Sequence, residues 1–228
     1  MKDLVILGST GSIGVQALEI VEANPALFRV VAITAAGTNP QVIIEQAKKF
    51  KVSVIGVTKN ADVIRAALPQ ATVIDGPDAS TEIAAITCDI VLNAITGSIG
   101  LAPTLAALKV GNRLALANKE SLVAGGDLVM AFGRDQIIPV DSEHSALYQC
   151  FLSGKASEVK QVILTASGGP FRNRNDLSDV TLEEALAHPT WNMGPVVTIN
   201  SATLVNKGLE IIEAHYLFDI PYSKIEAV

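Results

Sequence analysis

The chain opens with a short apolar run, Leu4 to Leu7, followed by a small-residue turn from Gly8 to Gly14. Apolar positions then recur over residues 15–22 at the spacing of one helical face, and Asn24-Pro25 stops that helix. The alternation continues. Residues 30–35 read as a strand, 40–50 as a helix and 52–57 as a third strand, which makes the opening stretch βαβαβ with right-handed crossovers and a parallel sheet. A helix near 61–68, strands at 71–74 and 90–95, a helix at 102–110 and a strand at 113–117 extend it. One doubly wound, Rossmann-like α/β domain is therefore expected over residues 1–140. From Pro139 the texture changes. A strand at 136–140 leads into clustered Asp, Ser, Glu and His, and a strand at 160–165 follows. A long polar stretch, 166–181, then leads to a segment holding the chain's one Trp among turn-formers, which reads as a mobile loop over about 166–194. A strand at 196–199, a helix at 203–217 and the entry into a further strand at 224–228 complete the pattern, so residues 141–228 are expected to form a second, α+β domain.

Composition narrows the class. With 49% hydrophobic and 18% charged residues, the 228-residue chain has enough apolar surface to fold. Aromatics are only 4% beside 17 glycines, so the core is Ala, Val, Ile and Leu, as in layered α/β domains and unlike a β-sandwich. A formal charge of −6 and the lack of a long basic cluster argue against nucleic acid as a partner. The apolar runs are far shorter than the roughly 18 residues that span a bilayer, so no membrane association is expected. Met1-Lys2-Asp3 leads directly into the first strand, which reads as part of a fold and not as a targeting segment. Cys88 and Cys150 stand far apart in apolar surroundings, which suits reduced core thiols and a cytoplasmic location.

The first turn spaces its glycines G-x-x-G-x-x-G between a strand and a helix, where free amides and the helix dipole hold a pyrophosphate. Thr10-Gly11-Ser12-Ile13-Gly14 recurs as Thr96-Gly97-Ser98-Ile99-Gly100. The second copy fits a ligand edge and a plain tight turn equally well. No acid ends the second strand, where Ala35-Ala36-Gly37-Thr38-Asn39 stands; that leans toward NADP over NAD, although no Lys or Arg is there to hold a 2′-phosphate. Asp141 and Glu143, at i and i+2 in extended chain, point the same way and can share a hard cation; a solvated loop explains them as well. Asn206, Lys207 and Glu210 share a helical face, which is compatible with a third ligand or with an ordinary exposed face. Lys119 closes a strand at the ligand edge as a surface charge or a substrate contact, Ser167-Gly168-Gly169-Pro170 forms an anion-sized turn, and His188 stands alone in its loop.

In joint order, these strings resemble the 1-deoxy-D-xylulose 5-phosphate reductoisomerase family. They are Gly8 to Gly14, Ala117-Asn118-Lys119-Glu120-Ser121, Pro139-Val140-Asp141-Ser142-Glu143-His144, Ser167-Gly168-Gly169-Pro170-Phe171, His188-Pro189 with Trp191 and Met193, and Ser201-Ala202-Thr203 with Asn206 to Glu210. The resemblance implies an NADPH-dependent oxidoreductase of non-mevalonate isoprenoid synthesis. Such an enzyme rearranges a phosphorylated sugar to a branched aldehyde and reduces that to 2-C-methyl-D-erythritol 4-phosphate. It further implies Asp141, Glu143 and Glu210 as ligands of Mg²⁺ or Mn²⁺, an ion that polarises the substrate ketone. Lys119, Asp141, Glu143, His188 and Glu210 correspond to catalytic positions. Ser142, Glu143, Ser167, His188, Ser201, Asn206, Lys207 and Glu210 correspond to substrate contacts. Thr10, Gly11, Ser12, Ile13, Gly37, Thr38, Asn39, Asn118, Lys119, Glu120 and Gly194 correspond to cofactor contacts, and Trp191 and Met193 to residues that close over the ligand.

The family places Lys where Thr38 stands, which implies a weaker hold on the 2′-phosphate. Its members, homodimers by the same resemblance, continue well past Val228. The chain is thus expected to be a truncated form with an incomplete second domain, an unpaired sheet edge and altered association. Two other readings follow from the residues: a cofactor-binding remnant without turnover, and a semialdehyde-dehydrogenase-like enzyme. The second is disfavoured because Cys88 precedes a strand and Cys150 lies in an apolar helical stretch.

Overall fold

A computed structural model describes residues 1–228 except Asn192, which falls inside the loop expected at 166–194. The chain divides into two compact units, Met1–Asp141 and Ser142–Val228.

The first unit alternates strand and helix: β1 (Lys2–Leu7), α1 (Ser12–Ala23), β2 (Phe28–Ala35), α2 (Pro40–Phe50), β3 (Val54–Val57), α3 (Ala61–Ala67), β4 (Thr72–Asp75), α4 (Ala79–Ala84), β5 (Ile90–Asn93), α5 (Leu101–Lys109), β6 (Arg113–Leu116), α6 (Glu120–Met130) and β7 (Ile137–Pro139). Its seven strands form one parallel sheet in the order β4-β3-β2-β1-β5-β6-β7. The doubly wound architecture expected from the alternation is what forms. Central strands carry continuous Val, Ile and Leu because both faces are covered: Val5, Ile6, Leu7, Ile33, Ile55 and Val91 are fully buried. The winding reverses between β1 and β5, so their carboxyl ends diverge into a crevice, the place where open α/β sheets bind ligands. Helix α4 is missing from the sequence pattern because its six residues are too few to establish a period.

The second unit contains α7 (Ser142–Phe151), β8 (Val162–Leu164), α8 (Leu182–Leu186), α9 (Pro195–Ala202), α10 (Val205–Phe218) and β9 (Ile225–Ala227). β8 and β9 pair in parallel. Val162, Leu164, Ala214 and Ile220 form its core, with Leu147, Phe151, Ile211 and Phe218 packed against them. The Phe151 and Phe218 rings stack at 4.9 Å.

Three expectations are corrected. Residues 196–199 are helical within α9, not a strand. Pro195 presets φ at the first helical position after Gly194, and the Thr198 hydroxyl donates to the Gly194 carbonyl at 3.0 Å, so the end of the helix overrides the β-branched run. Asp141-Ser142-Glu143 is not extended: Ser142 begins α7 and puts Glu143 in its first turn. Cys150 is exposed on α7 and Cys88 half-buried, so only Cys88 has a core-like setting; its thiol donates to the Ile90 carbonyl, and burial pushes its pKa up. No helix among the described residues is long and apolar enough to cross a membrane.

Candidate functional site

In the first unit, the glycine turn is built by close packing. Gly8 has φ +82°, and a Cβ there would lie 2.7 Å from the Ala94 carbonyl oxygen, so the turns after β1 and β5 approach backbone to backbone. A Cβ on Gly14 would meet the Gly8 carbonyl oxygen at 2.3 Å, which seats α1 against the turn. Gly11 is not crowded in this way, and it lies exposed with Thr10, Ser12 and Ile13 at the start of α1. The turn is anchored from below: the Gly8 and Ser9 amides donate to the Thr34 carbonyl at 2.9 and 2.8 Å. Ser9 also exchanges hydrogen bonds with the Gln46 side chain. The first amides of α1 receive no side-chain cap and face outward, a ready anion site. Gly37, Thr38 and Asn39 form the turn after β2 on the same edge, with Thr38 and Asn39 exposed and Pro40 opening α2.

The repeated pentapeptide has a different use. Asn118 is buried, and its amide donates to the carbonyls of Ile95 at 2.7 Å and Gly97 at 2.9 Å and to Glu120 Oε2 at 3.0 Å. Its Oδ1 accepts from the Ser121 amide and hydroxyl. Ser121 Oγ meets Thr104 Oγ1 at 3.0 Å. Asn93 Nδ2 donates to Thr104 Oγ1 and to the Gly100 carbonyl, both at 2.9 Å. The second glycine turn is thus gripped by Asn93 and Asn118 and braces the start of α6, where Lys119 projects. Lys119 Nζ pairs with Asp141 Oδ2 at 2.5 Å, and both side chains are mostly buried.

In the second unit, Lys207 is the hub. Its ammonium lies 2.9 Å from Glu143 Oε1, pairs with Glu210 Oε2 and donates to the Thr165 carbonyl. Lys207 is 8% exposed and Glu210 2%, so this face of α10 is not an ordinary solvated one. Burial works against the charge on Glu143, but Lys207 and the Ser142 hydroxyl, donating at 2.6 Å, outweigh it and hold the carboxyl at about 2. For Lys207, burial opposes the charge too, and the two glutamates raise its pKa above the ordinary value. Asn206 donates to the other oxygen of Glu210. Glu143 and Glu210 each bring an oxygen to within 4.8 Å of the other's, and the Lys207 ammonium bridges them. Hard carboxylate oxygens gathered this closely could hold a divalent ion such as Mg²⁺ or Mn²⁺.

Ser167 and His188 also meet. His188 Nδ1 accepts from the amides of Thr190 and Trp191 at 3.2 and 3.0 Å, so Nε2 carries the proton and donates to Ser167 Oγ at 3.1 Å. Ser167 Oγ accepts from the Gly169 amide as well. A Cβ on Gly169 would lie 2.8 Å from the Ser201 carbonyl oxygen, which places Ser201 beside this turn. Trp191 is 62% exposed, Met193 is half-buried, and Gly194 is exposed at the start of α9.

Sequence reasoning missed His144 and Glu213, both wholly buried with Nδ1 and Oε2 3.3 Å apart, and the brace residues Asn93 and Thr104. An Asn ending the apolar run Ile90-Val91-Leu92 was the signal available for the latter.

A doubly wound sheet with a glycine turn at its switch point defines the first unit as a Rossmann-like domain of the dinucleotide-fold class. Residues 4–126 match the family of 1-deoxy-D-xylulose 5-phosphate reductoisomerase, and residues 137–218 match that enzyme's C-terminal domain. The chain belongs to the 1-deoxy-D-xylulose 5-phosphate reductoisomerase family. Curated relatives of that name from Streptomyces coelicolor and Arthrobacter sp. are 55% and 57% identical over the whole chain, which spans 57% and 61% of their lengths. Among solved structures, a DOX-P reductoisomerase in complex with NADPH, fosmidomycin and magnesium matches with TM-score 0.91 at 36% identity, covering 100% of this chain and 60% of that one. The Zymomonas mobilis enzyme in complex with NADPH matches with TM-score 0.90 at 39% identity, covering 99% and 60%.

Proposed function

We propose that the chain carries the cofactor- and metal-binding parts of an enzyme that isomerises and reduces 1-deoxy-D-xylulose 5-phosphate to 2-C-methyl-D-erythritol 4-phosphate with NADPH. The observation that supports this reading best is the convergence of the Glu143 and Glu210 carboxylates, from two helices, about the buried Lys207 ammonium. In this reading Glu143 and Glu210 hold Mg²⁺ or Mn²⁺, with Asp141, two residues before Glu143 in the chain, as the third ligand. The divalent ion supplies Lewis acidity toward the substrate carbonyl, and NADPH supplies hydride.

The chain's own residues do the rest. The amides opening α1 bind pyrophosphate; Gly37, Thr38, Asn39, Asn118, Glu120 and Gly194 complete the cofactor contacts. Lys119, held on its brace, donates to the substrate hydroxyl whose charge changes. Ser167, Ser201, Asn206 and Lys207 receive the anionic end of the sugar phosphate within a chain of net charge −6. His188 carries the loop bearing Trp191 and Met193, which excludes water when it closes. Cytoplasmic location and a homodimer of the whole protein belong to the same reading.

The test is NADPH oxidation by this chain with 1-deoxy-D-xylulose 5-phosphate and Mn²⁺, run beside NADPH binding followed by fluorescence. Turnover that needs both substrate and metal is the expected result. Binding without turnover would select the cofactor-binding remnant, and absence of both would overturn the proposal.

A further inference from the structure

His144 and Glu213 have no part in the chemistry above, yet both are completely buried in the second unit, where an ionisable pair costs desolvation. His144 stands in the first turn of α7, next to Glu143. Its Nε2 lies 2.8 Å from the backbone carbonyl of Glu210, which can only accept, so Nε2 carries a proton and donates. Glu213 Oε2 lies 3.3 Å from Nδ1, one helical turn beyond Glu210, so a carboxylate stands against the ring's other nitrogen. One side chain therefore ties the turn of α7 that bears Glu143 to the turn of α10 that bears Glu210. Leu147, Ala214 and Leu217 supply apolar packing on the same two helices, so core filling alone does not call for an imidazole and a carboxylate there. What the imidazole adds is placement.

We propose that His144, through its bond to the Glu210 carbonyl, is a positioning residue that sets the separation of Glu143 and Glu210 for a divalent cation. This rests on the metal reading given above. Outer partners of this kind change metal affinity by about 10–100-fold when removed.

The experiment compares His144→Gln with His144→Asn in this chain, reading Mn²⁺ affinity from the electron paramagnetic resonance of the free ion, with melting temperature as the fold control. A glutamine amide reaches where Nε2 stands; an asparagine amide reaches only to Nδ1. Gln is expected to keep affinity within about threefold of the parent, and Asn to lose about tenfold or more. A purely structural role would lower the melting temperature of both and leave their Mn²⁺ affinities equal, and equal affinities overturn the proposal. If the parent chain itself binds no Mn²⁺, the metal reading fails, and this inference with it, before any variant is measured. Should both variants fail to fold, the parent decides: its His144 Nε2–H resonance is expected to shift on saturation with Mg²⁺, and an unmoved resonance overturns the role.

Discussion

In Met1–Asp141 the buried polar side chains are neutral: Ser9, Thr34, Asn93, Thr104, Asn112, Asn118 and Ser121. In Ser142–Val228 they are His144, Lys207, Glu210 and Glu213, with Thr198 the one neutral member among the described residues. The first set is satisfied largely by neutral hydrogen bonds beneath a seven-stranded sheet, with the Glu120 carboxylate accepting from Asn118, so its geometry follows mainly from the fold. The second set sits beside a small core and a two-stranded sheet, and each charge there is tolerable only while an opposite one stays in place. The first unit's strand ends are thus held by backbone and amides, whereas the carboxylates of the second unit are held by opposite charge.

That contrast can be broken most forcefully at Lys207. Lys207→Met leaves the buried Glu210 carboxylate facing the partly buried Glu143 and is expected to destabilise the second unit by about 3 kcal/mol. Hydrogen exchange should show α10 amides losing protection while those of β1 and β2 keep theirs. In the first unit, Thr104→Val removes the acceptor of Asn93 and the partner of Ser121, at an expected cost of about 1–3 kcal/mol in urea unfolding. Its magnitude should be the same at low and high salt.

Acid sharpens the same distinction. Glu143 is held at about 2 in the folded chain against an ordinary value of 4.5, so on acidification the unfolded chain takes up the proton first. The stabilisation is complete above pH 4.5 and is lost as pH falls from there toward 2. Protection of α7 and α10 amides should fall through that window, and protection around Asn93 and Thr104, whose mutual bond is neutral, should stay level. The smallest effect is expected at the edge of α8, where Thr181 Oγ1 accepts from the Glu184 amide at 3.2 Å: Thr181→Ala should cost about 1 kcal/mol or less, read as faster exchange of that amide.

Much of the first unit was legible because a parallel sheet needs continuous apolar strands, and its turns need small residues. Leu4 to Leu7 and the glycine turn after it announce both at once. The second unit was less readable. Val196-Val197-Thr198-Ile199 has the side chains of a strand, and only the proline before it and the packing of α9 on its neighbours decide for helix. The positions of Glu143, Lys207 and Glu210 were visible, but their burial was not: an i, i+3, i+4 pattern of polar residues looks the same on an exposed face as around a buried cation. His144 and Glu213 stand 69 positions apart in the chain, and no local pattern links them. Nor does spacing reveal that the second glycine turn serves as a brace; that depends on Asn118 reaching back across 21 residues to Gly97.

The reversal of the sheet between β1 and β5 also has a kinetic side. β1 joins β2 across 26 residues, as between Asp3 and Arg29, but meets β5 across 86, as between Asp3 and Asp89. Closing the longer loop costs about 1 kcal/mol more in chain entropy, and non-local pairings of this kind form slowly. Refolding should therefore assemble β1 to β4 first and dock β5 to β7 afterwards, with pulse-labelled β5 amides protected last. The close approach of Gly8 to Ala94 belongs to that seam, so the crevice at the switch point is finished only when the chain's two halves of sheet have met.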